Sequence, residues 1–452
     1  MDALTKQLCD WLGQLDHRPL PEPVSHEVKR RVLDTIGVAV AGWDGEPCRI
    51  TREQAQEVQA LDGGATVWGT RHRAPAALAA FANGTQARYL DYNDTYLSLE
   101  PAHPSDNIPA CLAVGEGAGV DGRRVMTAIA AAYEIQCRLC DAAGIREKGW
   151  DHVVYGAISV AATAGWLWGL RGEALGHAIS LGVVSNIAMR QTRVGQLSHW
   201  KGCAFANAAR NAIFGADLAR RGMIGPADPF TGAMGLFKQV TGPFRIYLPE
   251  GEDWAILQTY IKFYPADYCC QSAIEAALCL RQAIPDTAAI ARVDVDTFDV
   301  AVDITGSEPE KWDPTSRETA DHSMPYCVAA ALLDAHVSME SFNDRRRADP
   351  QLRELIRRVA VHRDPGMNHG YPDGTPTRVR VTLRDGQTLA HEIKYPRGHA
   401  GNPMTDEEVR EKFVRMTSLR LAVPARARLQ EAIWGLETVE NLTGLFELMA
   451  SE

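Results

Sequence analysis

The spacing of apolar residues changes near residue 285, and this change constrains the fold more than any other feature. Between residues 28 and 40, apolar side chains recur every three or four positions, which is the period of an α-helix. In 291–303 and 377–394 they alternate with polar side chains, as in half-buried strands. Asp385-Gly386 interrupts the second stretch and predicts a hairpin turn.

The first 260 residues are expected to be mainly helical. Ser25 is the predicted N-cap of the helix that contains the 28–40 pattern. Further helices are predicted at 74–90, 107–118, 123–142, 156–170, 173–186 and 201–221, and later at 322–336 and 349–361. Residues 266–400 therefore form a predicted small α+β domain, and the chain returns to helix from Thr405 onward. A chain of 452 residues is too long for one small core, so two domains are expected.

Composition excludes several classes of partner. The net charge of −10 argues against nucleic acid, because phosphate binding requires a basic surface. No apolar run approaches the ~20 residues that span a bilayer, so no membrane association is expected. Ten scattered cysteines and an amphipathic N-terminus without an apolar signal core predict reduced thiols in a cytoplasmic compartment.

Two short motifs favour ordinary structural explanations. GEGAGVDG, residues 115–122, follows an apolar helical segment rather than the strand that a dinucleotide loop requires, so it predicts a turn between helices. Cys137 and Cys140 fall within a predicted helix, and only Cys269-Cys270 form another close pair. Core packing of small thiols is therefore favoured over a metal or iron–sulfur site.

Four polar clusters interrupt the apolar segments. They are DYNDTYLSLEPAHP, with Asp91, Asp94, Thr95 and His103; MRQTRVGQLSHWKG, with Arg190, Arg193, His199 and Lys201; KWDPTSRETADHSMPY, with Lys311, Arg317, Asp321, His322 and Tyr326; and KYPRGHAGNP. Lys201 stands at a predicted helix start, where the helix dipole disfavours a cation. Arginine and lysine bind carboxylates while histidine, aspartate, lysine or tyrosine moves protons, so the clusters predict a polycarboxylate site.

At these clusters the chain resembles the MmgE/PrpD family, which includes 2-methylcitrate dehydratases, cis-aconitate decarboxylases and related epimerases. The matching stretches include RRVLDTIGVAVAG, ANGTQARYLDYNDTY, AHPSDNIPA, GWDHVVYGAISVAATAG, RQTRVGQLSHWKGCAFANAARNA, YPADYCCQSAIEAAL, WDPTSRETADHSMPYCVAAALLD and YPRGHAGNPMTDEEVREKF. They run in family order from about residue 30 to residue 415, which is most of the chain.

The resemblance implies a mainly α protein with a large all-helical domain, 1–265, completed by 401–452, and a smaller inserted α+β lid domain, 266–400. It also implies a homodimer with the active site in the cleft between the domains. In the decarboxylase branch, the functional positions correspond to Asp91, Thr95, His103, Lys201 and Tyr326. Cys269 departs from the dehydratases, many of which have histidine there.

The expected function is that of a lyase without a cofactor or metal, dehydrating 2-methylcitrate or a close polycarboxylate. His103 or Lys201 would transfer the proton, Asp91 would orient its partner, and Tyr326 could protonate the departing hydroxyl. Substrate binding is assigned to Thr95, His152, Arg193, Lys262, Arg317, His322 and Arg397. A cis-aconitate decarboxylase or an epimerase of an acid such as iminodisuccinate would use the same site. A third alternative is a binding protein that has lost its activity. The presence of Asp91, His103, Lys201 and Tyr326 argues against it.

Overall fold

The computed structural model describes residues 1–450, and α-helices dominate it. The helices up to residue 220 are α1 (Ala3–Gln14), α2 (Glu22–Ala41), α3 (Glu46–Gln56), α4 (Ala76–Tyr89), α5 (Asn107–Ala118), α6 (Gly122–Ala142), α7 (Val153–Leu167), α8 (Gly172–Val184) and α9 (Trp200–Arg220). The later helices are α10 (Tyr268–Arg281), α11 (Asp299–Thr305), α12 (Arg317–Ala320), α13 (Met324–Asp334), α14 (Asp344–Arg347), α15 (Pro350–Ile356), α16 (Asp406–Thr417), α17 (Val423–Trp434) and α18 (Thr443–Glu447). A mainly α fold is thereby confirmed.

The strands form one small sheet and one short ribbon. The ribbon pairs β1 (Ala65–Thr66) with β2 (Arg73–Ala74). The sheet has the order β4-β3-β5-β6, built from β3 (Ile290–Thr297), β4 (Val359–Arg363), β5 (Thr377–Leu383) and β6 (Thr388–Ile393). β3 pairs with β4 in parallel and with β5 in antiparallel orientation, while β5 and β6 form the predicted hairpin.

The buried apolar side chains form two large cores. The first contains side chains from Leu4 to Ile261 and, from the end of the chain, Met404 to Met449. The second runs from Tyr264 to Leu383 and joins the sheet to α10 and α13. α16 lies against α2, which places the C-terminal helices on the first core. We propose that the two cores mark the two domains, with boundaries near residues 265 and 400.

Close packing of α7 against α9 positions one wall of the site. Every residue of α7 is buried, and Gly156 faces the ring of Phe205 in α9. A Cβ atom at Gly156 would lie 2.1 Å from that ring, so only glycine allows this approach. The approach fixes α9, whose first turn carries Lys201.

The predicted turn between helices is confirmed at residues 115–122. α5 ends with Gly119 in the left-handed region at φ 67°, and α6 begins after Asp121, whose side chain accepts from the Arg124 backbone N–H. The thiols of Cys137 and Cys140 are fully buried in α6. Burial raises the pKa of both thiols well above its usual value, so they behave as protonated core groups.

Several predicted boundaries are wrong. α2 begins at Glu22 with Pro23 in its first turn, so Ser25 lies inside the helix rather than at its cap. The strand predicted over 291–303 ends at Thr297, and the following residues form α11. There Ala301, Val302 and Thr305 are buried, a spacing that also fits a helix face.

Two further segments differ from their prediction. The helix predicted over 349–361 ends at Ile356, after which β4 forms because β3 supplies a parallel partner. Helices do not fill 221–260, where the only regular pieces described are single turns at Phe237–Thr241 and Ala255–Gln258. Closely spaced glycines and prolines between residues 222 and 235 prevent a longer helix there. Across residues 1–450, every helix is too short or too polar to cross a membrane.

Candidate active site

A small cavity lies where residues of both cores meet. Its volume is about 230 Å³, below the ~300–1,000 Å³ of pockets for drug-sized ligands, which suits a small metabolite. The first 200 residues contribute Glu100, His103, Arg146, His152, Arg190 and Arg193 to its lining. The α+β part contributes Asp267, Glu308, Lys311 and His322. The cavity is therefore a cleft with ionisable groups on both sides.

Asp91 is the centre of a buried ionic cluster beside this cavity. It follows α4 with φ at +50°, a left-handed conformation that aspartate tolerates better than most residues. Its carboxylate accepts a hydrogen bond from Arg88 and lies 3.0 Å from Lys262 Nζ and 3.8 Å from Lys201 Nζ. Burial alone would raise the pKa of Asp91, but Arg88, Lys201 and Lys262 hold it well below its usual range. Asp91 is therefore a fixed anion.

Lys201 connects this cluster to the α+β part. Its Nζ lies 3.1 Å from Asp321 Oδ1 and 3.2 Å from His322 Nδ1. Only 1% of the lysine is exposed. Burial lowers the pKa of Lys201, and the nearby carboxylates of Asp321 and Asp91 oppose that shift. The unfavourable position of a lysine in the first turn of α9 is thus offset by two buried acids.

Asp91, Asp321 and His322 bring their ligand atoms within 4.8 Å of one another, a spacing that could hold a metal ion. Each of the two carboxylates already forms an ion pair with a lysine. Lys262 Nζ is 3.0 Å from Asp91, and Lys201 Nζ is 3.1 Å from Asp321. A divalent cation here would meet these positive charges at short range. The donor set fits an ion-pair network better than a metal centre.

His103 has the geometry of a general base. Its Nδ1 lies 2.8 Å from the Asp94 carbonyl oxygen and 3.0 Å from Thr95 Oγ1. A carbonyl only accepts, so Nδ1 carries the hydrogen and the neutral ring leaves Nε2 unprotonated. Burial, together with Arg88 and Lys262, lowers the pKa of His103 well below its usual value. The imidazole therefore stays neutral at physiological pH.

The Asp94 side chain stabilises the turn that carries His103. Its Oδ1 accepts from the Ser105 backbone N–H at 2.9 Å, and its Oδ2 accepts from the Tyr133 hydroxyl at 2.8 Å. Both ends of the His103 loop are thereby fixed to α6. The role of Asp94, which belongs to the first polar cluster of the sequence, is therefore to position His103.

A second histidine, His152, contacts the first. Their rings meet edge to face with centroids 5.7 Å apart. His152 Nδ1 lies 3.1 Å from Asp151, which also accepts a hydrogen bond of 2.8 Å from Arg193 Nε. Burial and the neighbouring Arg193 lower the pKa of His152 to about 3, so this ring is also neutral.

Lys412 of α16 fixes the backbone that carries the cluster. Its Nζ donates to the carbonyl oxygens of Tyr92 and Lys262, each at 2.8 Å, and lies 2.7 Å from Asp34 Oδ1. Tyr92 is adjacent to Asp91 in the chain. Lys412 thus holds in place two segments of the site, one at Tyr92 and one at Lys262.

The structure brings most of the predicted site residues together. Asp91, Lys201, Lys262 and His322 form the ionic cluster, while His103, Thr95, His152 and Arg193 form the adjoining wall. The roles assigned to them stay predictions.

Three predicted site residues lie elsewhere. The Tyr326 hydroxyl donates to the Ser341 carbonyl at 2.6 Å inside the second core. The guanidinium of Arg317 lies over the rings of Tyr89 and Phe342, and that of Arg397 is bound by Glu408 and Asn402. None of the three lines the cavity. Asp91 and Lys201 do not line it either, but both contact His322, which does. The polar side-chain contacts of Tyr326, Arg317 and Arg397 include no residue of the cavity or of the ionic cluster, so nothing in the structure supports Tyr326 as an acid or these two arginines as substrate clamps.

The sequence missed several residues of the cavity. The sequence places Arg190 in a basic cluster but predicts no role for it, nor for Arg146, Glu100 or Asp267. Arg146 stands in REKGW, which carries no motif. A basic residue next to the matched stretch GWDHVVYG was the one signal that could have pointed to it.

A large helical part is joined to a smaller α+β part, and neutral histidines and cations surround a small cleft where residues of both meet. This is the architecture of a class of two-domain enzymes. Family models agree with this class: the MmgE/PrpD N-terminal domain matches residues 6–248 and the MmgE/PrpD C-terminal domain matches residues 264–438. The chain belongs to the MmgE/PrpD family.

Curated relatives cover nearly the whole chain. A 2-methylcitrate dehydratase of Cupriavidus necator is 29% identical over 441 residues, covering 90% of each chain. The 2-methylcitrate dehydratase of Escherichia coli K12 is 27% identical, covering 82% of this chain and 80% of its own. A cis-aconitate decarboxylase-like protein of Aspergillus oryzae, oryM, is 26% identical, covering 99% and 98%. The chain is thus an enzyme similar to hydro-lyases of this family.

Proposed function

We propose that this enzyme is a cofactor-independent lyase acting on a small polycarboxylate, most specifically the dehydration of 2-methylcitrate to 2-methyl-cis-aconitate. The observation that carries the proposal is a neutral His103 that shares one small cleft with four cations, Arg146, Arg190, Arg193 and Lys311. The dehydratases and the decarboxylase-like relative support the substrate class. A homodimer and a cytoplasmic location stay predictions.

In the proposed reaction, His103 Nε2 removes the proton on the carbon next to a carboxylate. Negative charge then develops on that carboxylate, and fixed cations stabilise it without reorganisation. The electron pair of the broken C–H bond forms the double bond, while the C–O bond breaks and the hydroxyl leaves as water. His103 suits the base because its ring is neutral and its Nδ1–H is held by Asp94.

The departing hydroxyl needs a proton. Lys201 and His322 can supply it together, because Lys201 Nζ lies 3.2 Å from His322 Nδ1 and His322 lines the cavity. With Nδ1 accepting from Lys201, the hydrogen of the neutral ring is on Nε2 and passes to the departing hydroxyl. Nδ1 then takes a proton from Lys201, and its new hydrogen can be donated to Asp321 Oδ1 at 2.6 Å. Lys201 is also paired with Asp321 and lies near Asp91, which orients it. This division of roles assigns the base to His103 and the acid to the lysine–histidine pair.

A decarboxylase would use the same anion-stabilising site, and the similarity to oryM along the full chain favours it as the second candidate. Product analysis separates the alternatives. The purified enzyme, exhaustively treated with chelator, is incubated with 2-methylcitrate, cis-aconitate or iminodisuccinate, and the products are identified by NMR.

We expect loss of water from 2-methylcitrate at an undiminished rate after chelation. Release of carbon dioxide from cis-aconitate as the faster reaction would replace dehydratase by decarboxylase. Racemised iminodisuccinate as the main product would indicate the epimerase. Activity that vanishes with chelator and returns with iron would show that the cofactor-independent mechanism is wrong.

A further inference from the structure

Two arginines of the cavity wall have no acidic partner. Arg146 and Arg190 both line the cavity. Among residues 1–450, no carboxylate oxygen lies within 4.0 Å of either guanidinium, and neither side chain donates a hydrogen bond. The other cations of the cavity are paired, Arg193 with Asp151 at 2.8 Å and Lys311 with Glu308 at 3.6 Å. Two positive charges are therefore available to a ligand.

Backbone hydrogen bonds place these arginines on one wall. The carboxylate of Glu100, 1% exposed, accepts from the backbone N–H groups of Ile145 and Arg146 at 2.7 and 2.9 Å. The Arg190 N–H donates to the Gly149 carbonyl at 2.9 Å, next to a bridge between Trp150 and Met189. The segments 145–151 and 188–193 are thereby joined before any ligand binds.

Like charges lie close together on this wall. Burial lowers the pKa of Arg190, and the nearby Arg193 and Arg146 lower it further, while Glu100 opposes them. Burial in turn raises the pKa of Glu100, whose carboxylate is occupied by backbone donors. Repulsion between these guanidinium groups lowers the stability of the folded protein, and an anionic ligand bound to them would raise it.

We infer that Arg146 and Arg190 bind carboxylate groups of the substrate and make the cleft selective for polycarboxylates over monocarboxylates. Guanidinium groups match carboxylates with two parallel hydrogen bonds, which explains arginine at both positions. This inference rests on the proposed function and names the residues that recognise its substrate. Arg146 and Arg190 thus replace Arg317 and Arg397, which lie outside the cavity.

The test uses the full-length enzyme and equilibrium binding, so it does not depend on turnover. Arg146→Gln and Arg190→Gln are compared with wild type and with Arg428→Gln, which removes an exposed, unpaired arginine of α17 outside the cavity. Calorimetry measures the affinity for citrate as a tricarboxylate and for propionate as a monocarboxylate. Thermal unfolding is recorded without ligand.

We expect each cavity variant to weaken citrate binding at least about tenfold, because a hydrogen bond to a charged group is lost. The affinity of each cavity variant for propionate should change much less. Arg428→Gln should bind both ligands with the affinity of wild type. The ligand-free Arg190→Gln variant should unfold at a higher temperature than wild type, since a repulsive charge is gone.

Unchanged citrate affinity in both cavity variants would overturn this inference while leaving the proposed function intact. A ligand-free Arg190→Gln that is less stable than wild type would overturn the role of Arg190 by showing that the arginine is structural. If wild type does not bind citrate, both the inference and the proposed substrate class fail.

Discussion

Lys201 Nζ lies 3.1 Å from Asp321 Oδ1, and the two residues stand next to different hydrophobic cores. Ala204 and Phe205, close to Lys201 in the chain, belong to the first core, and Ala320 and Met324, close to Asp321, belong to the second. Both side chains are buried, at 1% and 0% exposure. A buried pair of this kind contributes little net stability but is costly to break from one side. The pair therefore makes the site depend on correct docking of the α+β part.

Lys201→Met tests this dependence. We expect turnover to fall at least ~100-fold, as for loss of a general acid. Unlike an exposed lysine, whose loss costs under ~0.5 kcal/mol, this variant should lose about 3–5 kcal/mol of unfolding free energy because Asp321 stays buried. Adding Asp321→Asn should recover much of the stability but not the rate. Turnover within a few-fold of wild type would contradict the role of Lys201.

His103→Ala should reduce turnover about 100- to 10,000-fold, because the base is removed. His103→Asn is the matched control, since its amide can still donate to the Asp94 carbonyl as Nδ1 does. We expect the asparagine variant to be more stable than the alanine variant by about 1 kcal/mol yet equally inactive. Rates come from steady-state assays and stabilities from urea unfolding. Activity in His103→Asn would show that Nε2 is not the base.

His152 predicts a pH dependence of stability. Its pKa of about 3 lies below the ordinary histidine value of 6.5, so between these values the unfolded chain binds one more proton. Its contribution is complete above about pH 6.5 and is lost as the pH falls, at about 1.4 kcal/mol per pH unit. His152→Asn should therefore lose stability less steeply between pH 6.5 and 4. Equal slopes in urea unfolding would contradict a buried neutral ring.

Lys412 and Asp34 allow stability to be separated from activity. Lys412→Met leaves Asp34 buried without its partner and should cost about 3–5 kcal/mol. The double variant Lys412→Met/Asp34→Leu should regain most of that stability. Its turnover should stay reduced, by up to ~100-fold, because the carbonyls of Tyr92 and Lys262 have lost their donor and the site is misplaced. Full recovery of turnover would show that Lys412 is only structural.

Gly398 and Gly386 form a matched pair of glycines with φ near +90°. A Cβ at Gly398 would lie 1.9 Å from the Ile261 carbonyl oxygen, next to Lys262, whereas Gly386 has open space. Gly386→Ala should cost about 1 kcal/mol from backbone strain. Gly398→Ala should cost more and also lower turnover, because the segment carrying Lys262 must move. Similar effects of both variants on activity would contradict this contact.

Local pattern sufficed for the β5–β6 hairpin and most helices, since their periodicity and turn residues lie within one segment. β4 was missed because its strand character comes from parallel pairing with β3, more than sixty positions away. The sequence predicts a strand where α11 forms, because a few alternating apolar residues fit either element.

Three members of the ionic cluster, Asp91, Lys201 and His322, could be predicted because they stand in recognisable polar clusters of the sequence. The proposed choice of Arg146 and Arg190 as substrate-binding arginines, in place of Arg317 and Arg397, could not be predicted from the sequence. It depends on which guanidinium groups are already paired with other residues of the protein. Arg397 meets Glu408 only once α16 folds against it. Arg146 reaches the cavity only because buried Glu100 holds its turn.

The contacts of Lys412 have a consequence for synthesis of the chain. On the ribosome, residues are added in order, and domains usually fold as they emerge. The first core lacks Met404 to Met449 until that segment is made, and Tyr92 and Lys262 lack their shared donor until α16 is made. The α+β segment can fold earlier, because its core ends at Leu383. Nascent chains should therefore hold a folded α+β segment before the first core is complete, and activity should appear only after residues 404–449 have left the ribosome.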